Sequence, residues 1–560
     1  MRKLCRVLFS RYAISALVIL LYFVVVALLV VYSAASYVYF AVASLAFDII
    51  IILSLVNRET NPEFKVTWLI IVTLLPIFGG ILYVIFYSRR TSRKEAKRLL
   101  EITETLAHFE EGEDGSDPDC LRALDELSGI SRSYSGQALS LLRLDKLSSL
   151  YRNSSLKYYP SGEEMFFDMK QAMRSAKKYI FLEYFIVAEG VMWQQFFDIL
   201  TERQRAGVEI RMLYDDIGSM STVGASFDKQ MRELGIECYR FARVTPKVTS
   251  LHNNRDHRKL LIVDGEVAFT GGINIADEYI GAIERFGHWK DGGVRISGAA
   301  AGGFVRQFLQ LYDFTAGSIS DYANYLAREK ASSPSQTAAL RDTHGMGDTR
   351  STHDTSSARD IKEGTFDSKA QSLDNGDGGF YIPFGSGPYP VYERGVGKCI
   401  ITDVINRSVE YLYITTPYLV IDYDLTEALR SAALRGVDVR IITPGVPDKR
   451  LVKLMTKGSY KTLIASGVRI FEYTPGFIHE KMILSDGELA IIGTINLDYR
   501  SLVHHYENAL WIYKSPELKS IRRGFMSSLR QSREIDKDEA RLKIHERVVR
   551  YLVRIFAPLL

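Results

Sequence analysis

The chain has 560 residues, of which 47% are hydrophobic and 24% are charged, and its formal net charge is only +4. This length allows more than one domain, and the nearly neutral charge argues against a nucleic-acid-binding protein. The four cysteines are dispersed without a C-x-x-C pair, which fits a reducing compartment and gives no signal for a cysteine-based zinc site.

Three apolar stretches lie near the N-terminus: Tyr12 to Tyr32, Val38 to Leu55 and Trp68 to Tyr87. Each has about the length that crosses the hydrocarbon core of a bilayer. A cleaved signal peptide is an alternative for the first stretch, but no clear small-residue cleavage site precedes the next one. We therefore expect residues 1–98 to form a membrane anchor of two or three transmembrane helices.

The charges beside these stretches leave the topology open. The basic cluster from Arg89 to Arg98 places the rest of the chain in the cytoplasm by the positive-inside rule. The basic N-terminus, from Arg2 to Arg11, also favours the cytoplasm. Three spans would put the N-terminus and the rest of the chain on opposite sides of the membrane. Either the first two stretches do not both span, or the N-terminus lies outside against its charge. Asp48, within the second stretch, is interpreted as a helix-packing or depth-setting residue, with a functional role as the alternative, because a carboxylate in a bilayer is costly unless it faces protein or water.

Residues 99–150 have the pattern of a helical connector, and an alternation of strand and helix patterns follows it. The alternation runs over residues 151–331 and repeats over residues 380–535. The predicted strands are Tyr179 to Ile186, Val208 to Tyr214, Tyr411 to Leu419 and Val437 to Thr443, and the predicted helices are Val191 to Arg205 and Leu425 to Leu434. This order predicts an α/β fold with a largely buried sheet in each half.

Two further segments differ in composition from these halves. Residues 332–379 are rich in Ser, Thr, Asp and Gly, and they predict a disordered linker because they cannot bury enough apolar surface. Residues 536–560 predict an amphipathic helix with Ile544, Val548 and Tyr551 on one face. That helix could rest on a membrane surface or pack against the catalytic core.

One short motif occurs twice in the chain. The first copy contains His257, Lys259, Asp264 and Asn274, and the second contains His479, Lys481, Asp486 and Asn496. The offset is 222 throughout, since 479 minus 257 and 496 minus 274 give the same number. A single copy could be a structural histidine beside a strand-edge lysine, but two copies in register argue against that interpretation.

The spacing within each copy predicts its local structure. Residues two apart on a strand share a face, so each His should lie beside its Lys. An apolar run and Asp-Gly follow, which indicates a hairpin turn. Counting back from a two-residue turn at Asp264-Gly265 places Thr270 to Gly272 opposite Lys259 to His257, where small residues would leave room for a phosphate. Asp264 lies about 23 Å from His257 along a straight strand at roughly 3.3 Å per residue, so it should form the turn and not contact phosphate.

These residues resemble the phospholipase D superfamily, whose members bring two HxKxxxxD motifs together around one phosphodiester. The similarity to bacterial cardiolipin synthases is closer still, and it rests on Asn254 to Lys259, Gly493 to Ser501, Thr416-Pro417-Tyr418 and Ala557 to Leu560. It implies a duplicated phospholipase D fold whose two halves are related by a pseudo-twofold axis. The implied catalytic signature is His257, Lys259, Asp264, His479, Lys481 and Asp486, with Asn274 and Asn496 binding phosphate.

The resemblance extends to two carboxylates. Trp289-Lys290-Asp291 is similar to the family's Trp-Arg-Asp, and His505-Tyr506-Glu507 stands where the family usually has Asn-Phe-Glu. Asp291 and Glu507 would then orient the catalytic imidazoles, as the acid of a catalytic triad does. The alternative is that both are ordinary surface carboxylates.

The implied reaction is transfer of a phosphatidyl group between two phosphatidylglycerol molecules at a bacterial plasma membrane, giving cardiolipin and glycerol. One histidine, His257 by family analogy, attacks phosphorus while the other acts as acid and base. We expect no cofactor, no metal and no nucleic-acid partner. The alternatives are a hydrolase, a transferase with another alcohol, and an inactive scaffold that binds anionic lipid.

Overall fold

The structure is a computed structural model that describes residues 20, 24, 27–28, 34–58, 62–86, 93–109, 117–243, 254–326, 376–392 and 395–556. Most of the first apolar stretch lies outside the described residues. So does the predicted linker, except for residues 376–379.

Over residues 34–86, three described helices pack together and against the second half. They are α1 (Ala34–Val56), α2 (Pro62–Leu74) and α3 (Phe78–Phe86). Leu55, Trp68 and Val72 share a buried cluster with Met455 and Tyr499 of the second half. Asp48 is buried and accepts a hydrogen bond from the Ile77 amide, as expected of a helix-packing residue. The expected transmembrane helices are not shown, because no helix among the described residues is both long enough and apolar enough to cross a bilayer.

The connector is helical, as the sequence predicts. It contains α4 (Arg93–His108), α5 (Pro118–Ile130) and α6 (Arg132–Leu144). Asp117 caps α5 by accepting the amides of Asp119 and Cys120, with Pro118 at the first helical position. These helices pack on the main core through Leu106, Leu127 and Leu141.

The first half is a mixed seven-stranded sheet with the order β1-β8-β6-β5-β2-β3-β4. Strands β2, β3 and β4 are parallel, and β5 and β6 form the hairpin of the first motif. The strands are β1 (Ser154–Tyr159), β2 (Tyr179–Tyr184), β3 (Glu209–Asp215), β4 (Glu237–Phe241), β5 (Lys259–Val263), β6 (Val267–Gly271), the separate β7 (His288–Lys290) and β8 (Gly293–Gly298). The helices are α7 (Gly162–Ser175), α8 (Val191–Arg205), α9 (Asp216–Ser219), α10 (Phe227–Glu233), α11 (Ala301–Ala316) and α12 (Ala323–Leu326).

The second half repeats this arrangement. Read from β9, its order is β9-β18-β16-β15-β10-β12-β13, which matches the first sheet strand for strand, and β19 adds an eighth strand. The strands are β9 (Phe380–Ser386), β10 (Tyr411–Thr415), β11 (Leu419–Val420), β12 (Asp438–Pro444), β13 (Arg469–Tyr473), β14 (Gly476–Ile478), β15 (Met482–Ser485), β16 (Leu489–Gly493), β17 (Leu497–Asp498), β18 (Glu507–Tyr513) and β19 (Ser532–Glu534). The helices are α13 (Val396–Arg407), α14 (Tyr423–Leu434), α15 (Arg450–Ile464), α16 (Leu518–Arg530) and α17 (Ile544–Phe556). The duplicated α/β fold expected from the sequence is confirmed.

One apolar core joins the two halves. It includes Phe181 and Phe308 of the first half and Ile414 and Trp511 of the second. A second cluster fills the other face of the first sheet beneath α7 and α8. The halves therefore form one folded body, which fixes the position of one motif relative to the other.

The two motif hairpins differ from the predicted register by one residue. Val263 pairs with Val267, so Leu260 faces Thr270, and the second hairpin has the same offset, with Ser485 facing Leu489. Asp264 and Gly265 both have positive φ, as a tight type I′ turn requires. The extra residue is Glu266, whose carbonyl accepts the Gly298 amide of the neighbouring strand.

The C-terminal helix α17 packs against the N-terminal helices and leaves apolar side chains exposed. Val553 packs against the cluster formed by the N-terminal helices. Ile544, Val548 and Tyr551 are exposed.

Candidate active site

Two short strand contacts between the halves position the histidines. Asp256 pairs with Tyr506, and the His257 amide donates to the Tyr506 carbonyl at 2.8 Å. In the pseudo-equivalent contact, β14 pairs with β7, and the His479 amide donates to the Lys290 carbonyl at 2.7 Å. Each histidine is thus held by the backbone of the opposite half.

Each imidazole faces a carboxylate that also comes from the opposite half. His257 Nδ1 lies 2.9 Å from Glu507 Oε2, and His479 Nδ1 lies 2.7 Å from Asp291 Oδ2. All four side chains are buried, so neither acid is the surface carboxylate of the alternative interpretation. A carboxylate only accepts hydrogen bonds, so each pair places a proton on Nδ1 and leaves Nε2 of a neutral ring with its lone pair free.

The electrostatic environment keeps both imidazoles neutral near pH 7. Burial, reinforced by Lys259 and Lys481, holds the pKa of His257 well below its usual value. Burial and Lys481 lower the pKa of His479 to about 4, although Asp291 opposes this shift. Burial alone would raise the pKa of Asp291, but His479 and Lys481 reverse the shift, so its pKa is lowered.

The two motif lysines are buried in the same region. Lys259 Nζ donates to the His257 carbonyl at 2.6 Å, and Lys481 Nζ donates to the His479 carbonyl. Burial lowers the pKa of Lys259 to about 8 and that of Lys481 to about 7. The structure therefore brings together the His and Lys side chains of both motifs, and it adds one acid to each imidazole.

The two motif asparagines differ in their contacts. Asn274 Oδ1 accepts the Ile186 amide at 3.0 Å, and Asn274 Nδ2 donates to Tyr279 Oη at 2.7 Å. Asn496 is also buried, but its Oδ1 has no hydrogen-bond partner among the described residues. Asn496 is accordingly the better placed of the two to contact a ligand.

The motif aspartates lie in the turns and hold the fold together. Asp264 accepts the amides of Lys177, Lys178 and Tyr179 at 2.7 to 2.8 Å. Asp486 makes the equivalent three bonds in the second half. We therefore remove Asp264 and Asp486 from the predicted catalytic residues. Their oxygens stabilise the start of the neighbouring strand, as expected of turn residues.

The small residues that were predicted to lie opposite the histidines contact the two carboxylates instead. A side chain at Gly272 would collide with the Asp291 carboxylate. At the matching position of the second half, Thr494 Oγ1 donates to Glu507 Oε2. At both positions the residue contacts the carboxylate that faces a histidine, and the space for a phosphate stays a prediction.

Asp215, which was not among the predicted site residues, anchors the loop before the first motif. Its carboxylate pairs with Arg255 at 2.8 Å and accepts the Asp256 amide at 3.1 Å. Its position at the carboxyl end of a predicted strand is the sequence signal that could have revealed it.

The family model described as "Cardiolipin synthase, PLD-like domain" matches residues 169–282 and 401–529, so each match contains one motif. A second model, described as "Phospholipase_D-nuclease N-terminal", matches residues 46–86.

Individual proteins are similar to this chain over most of its length. A cardiolipin synthase from Halalkalibacterium halodurans is 30% identical over 515 residues, which is 91% of each chain. A protein from Streptococcus mutans, which carries no functional name, is 35% identical over 511 residues, covering 91% of this chain and 99% of that one. Among solved structures, the phosphatidylserine synthase of Haemophilus influenzae is similar with a TM-score of 0.49 and 14% identity, covering 72% of this chain and 93% of that one.

Proposed function

The chain belongs to the bacterial cardiolipin synthase family of the phospholipase D superfamily and is an enzyme of that family, and we propose that it transfers a phosphatidyl group from one phosphatidylglycerol to another. The products are cardiolipin and glycerol. The observation that carries this proposal is the pair of buried imidazoles, each backed by a carboxylate of the opposite half. Two such groups fit a reaction that needs a nucleophile and a separate acid and base.

In the first step, His257 Nε2 attacks phosphorus and the bond to the glycerol headgroup breaks. His479 gives its Nε2 proton to the departing glycerol oxygen. In the second step, neutral His479 takes the proton from a hydroxyl of another phosphatidylglycerol. That oxygen then displaces His257 from phosphorus, which forms cardiolipin and restores the enzyme.

The lysines and Asn496 support this chemistry through charge and hydrogen bonding. Ammonium groups at Lys259 and Lys481 stabilise the negative oxygens around phosphorus, and their effect is strong because the site is buried. His479 must carry a proton to act as acid, although its pKa is lowered in the free enzyme. The negative charge of the bound phosphodiester raises that pKa in the complex.

We place residues 1–98 in the bacterial plasma membrane and the catalytic halves on its cytoplasmic side. The apolar side chains of Ile50, Leu53, Val66 and Leu74 are exposed on α1 and α2, which supports contact with lipid. Because these helices pack on Met455 and Tyr499 of the second half, an anchored enzyme would keep its site close to the lipid surface.

Product analysis with defined lipids tests the reaction. Purified full-length protein receives phosphatidylglycerol alone, labelled in the headgroup, without added metal or nucleotide. We expect cardiolipin and free labelled glycerol in equal amounts, and excess glycerol should reverse the reaction. Phosphatidic acid as the main product would establish a hydrolase instead. Cardiolipin that forms only when another lipid or alcohol is added would refute the assigned donor and acceptor.

A further inference from the structure

His505 is a buried imidazole beside the nucleophile of the proposed reaction. Its ring centroid lies 5.5 Å from that of His257, and the ring also stacks on Phe185. It is only 7% exposed, and neither ring nitrogen has a hydrogen-bond partner among the described residues. Leaving a buried polar group unpaired typically costs about 1–3 kcal/mol, so this imidazole is poised for a ligand that the protein itself does not supply.

Glu507 lies between the two imidazoles. Its Oε2 is 2.9 Å from His257 Nδ1, and its Oε1 is 3.7 Å from His505 Nδ1. Glu507 Oε1 is itself without a hydrogen-bond partner among the described residues. The carboxylate therefore has one oxygen for each ring.

These three side chains have the composition and spacing of a metal site. One ligand atom from each of His257, His505 and Glu507 lies within 4.8 Å of the other two, and all three residues are buried. Two imidazoles and a carboxylate are a donor set that Zn²⁺ takes in proteins, with a fourth position left for water or substrate. Tetrahedral bonds of about 2.0–2.2 Å put ligand atoms roughly 3.3 Å apart, so small rotations of the side chains would close the site.

The pseudo-equivalent position in the first half cannot bind a metal in this way. Trp289 stands in the same place relative to Asp291 as His505 does relative to Glu507, and its ring lies 5.4 Å from that of His479. An indole has no lone pair in the ring plane to offer a cation. Among the described residues, the donor set is therefore confined to the His257 side.

The surrounding charge does not exclude a cation. Lys259, Lys481 and Lys449 act on His257 as positive charges, and Arg500 acts on His505 in the same way, so these groups would repel a cation. Glu507, Asp256, Asp291 and Asp215 all act on Lys259 with the opposite sign. The carboxylates therefore offset part of this positive charge around the position between His257, His505 and Glu507.

We propose that His257, His505 and Glu507 form an inhibitory Zn²⁺ site. Zinc replaces the proton on His257 Nδ1 and takes Glu507 as a ligand. A neutral His257 then carries its one proton on Nε2, the atom that attacks phosphorus in the proposed mechanism, and it is no longer a nucleophile. The binding site stands independently of the reaction, whereas the inhibition rests on the proposed function.

Metal binding is tested first, without lipid, so that failure of the transfer reaction cannot affect the result. Full-length protein freed of metal with a chelator is dialysed against Zn²⁺, and in parallel against Co²⁺, whose visible absorption reports imidazole and carboxylate ligation. We expect one site in the wild type. Since the loss of an outer-shell partner already weakens metal affinity by about 10–100-fold, His505→Ala should weaken it by about tenfold or more.

Two further variants provide the controls. His545→Ala removes an exposed histidine of α17 and should leave zinc affinity unchanged. His505→Asn restores the amide that the family usually has at this position. It should also weaken zinc binding, and it provides a second test if His505→Ala does not fold. Thermal unfolding of each variant identifies folded protein.

The inhibition is measured as the zinc concentration that halves each variant's own transfer rate. We expect EDTA to restore the wild-type rate and both His505 variants to need about tenfold more zinc. Equal zinc affinity in the wild type and both variants, or no zinc binding to the wild type, would overturn the site. Wild-type enzyme that binds one zinc and retains its rate would overturn the inhibition, because His257 cannot be ligand and nucleophile together.

Discussion

His257 and Glu507 are separated by 250 positions in the chain, yet the imidazole Nδ1 and the carboxylate Oε2 lie 2.9 Å apart. In the pseudo-equivalent pair, His479 Nδ1 lies 2.7 Å from Asp291 Oδ2. Each proposed catalytic pair therefore requires both halves, and neither half contains a complete pair.

The first prediction concerns these carboxylates. Glu507→Gln and Asp291→Asn keep the size of each side chain but remove the charge that fixes the Nδ1–H tautomer. The corresponding change in a serine protease triad lowers kcat by about 10⁴-fold, and we expect a loss of about 10²–10⁴-fold here. The measurement is kcat for cardiolipin formation in protein of wild-type melting temperature. Near wild-type kcat in both variants would show that the acids do not orient the imidazoles.

The second prediction concerns pH. Lys481 and Lys259 bind phosphoryl oxygens only when protonated, and their pKa values are lowered to about 7 and about 8. Activity should therefore be lost as pH rises, with kcat/KM falling across that range. In kcat the same decline should move to higher pH, because the bound phosphodiester stabilises both ammonium groups.

The variant Lys481→Arg tests this assignment, since a guanidinium stays charged throughout. Whatever its absolute rate, its kcat/KM should lose the part of the decline that belongs to Lys481, near pH 7, and keep the part near the pKa of Lys259, about 8. If kcat/KM of Lys481→Arg falls at the same alkaline pH as kcat/KM of the wild type, Lys481 is not the cause of that fall.

The third prediction separates stability from chemistry at the turn aspartates. Asp264→Asn removes one of three charged hydrogen bonds to backbone amides. It should lower the free energy of unfolding by about 1.5–3 kcal/mol and leave kcat of the folded enzyme unchanged. Asp486→Asn is the matched change in the second half. A stable Asp264→Asn enzyme that binds lipid but lacks turnover would contradict the structural role.

The fourth prediction compares the two motif asparagines. Asn274→Ala leaves the Ile186 amide and the Tyr279 hydroxyl without their present partner, so it should lower the melting temperature. Asn496→Ala should instead lower kcat/KM with little change in melting temperature, because Asn496 Oδ1 is unpartnered among the described residues. If Asn496→Ala lowers the melting temperature and Asn274→Ala lowers kcat/KM alone, then Asn274 contacts the ligand and Asn496 is the structural residue.

Local geometry was largely predictable from the sequence. The predicted helix Val191 to Arg205 has the observed bounds, and the observed strands β2 and β3 lie within two residues of their predicted ends. The hairpin turns were also predicted, because Asp-Gly accepts the positive φ of a tight turn. Their register was wrong by one residue, because the Glu266 carbonyl bonds to a third strand that a count within the hairpin ignores.

Contacts between the halves could not be derived in the same way. The resemblance indicated that Asp291 and Glu507 orient imidazoles, but the choice of histidine depends on which strands meet across the interface. The role of Asp215 and the unpartnered nitrogens of His505 likewise depend on tertiary packing. Spacing along the chain specifies local structure well and specifies such long-range pairs poorly.

A single-turnover trapping experiment determines whether His257 becomes covalently bound to phosphorus. Enzyme in excess is mixed with phosphatidylglycerol labelled at phosphorus, quenched in alkali to preserve a phosphorus–nitrogen bond, digested and mapped by mass spectrometry. We predict label on the peptide that contains His257, and a chase with unlabelled phosphatidylglycerol should move that label into cardiolipin. Cardiolipin that forms at the normal rate with no label on His257 at any time would exclude His257 as the nucleophile.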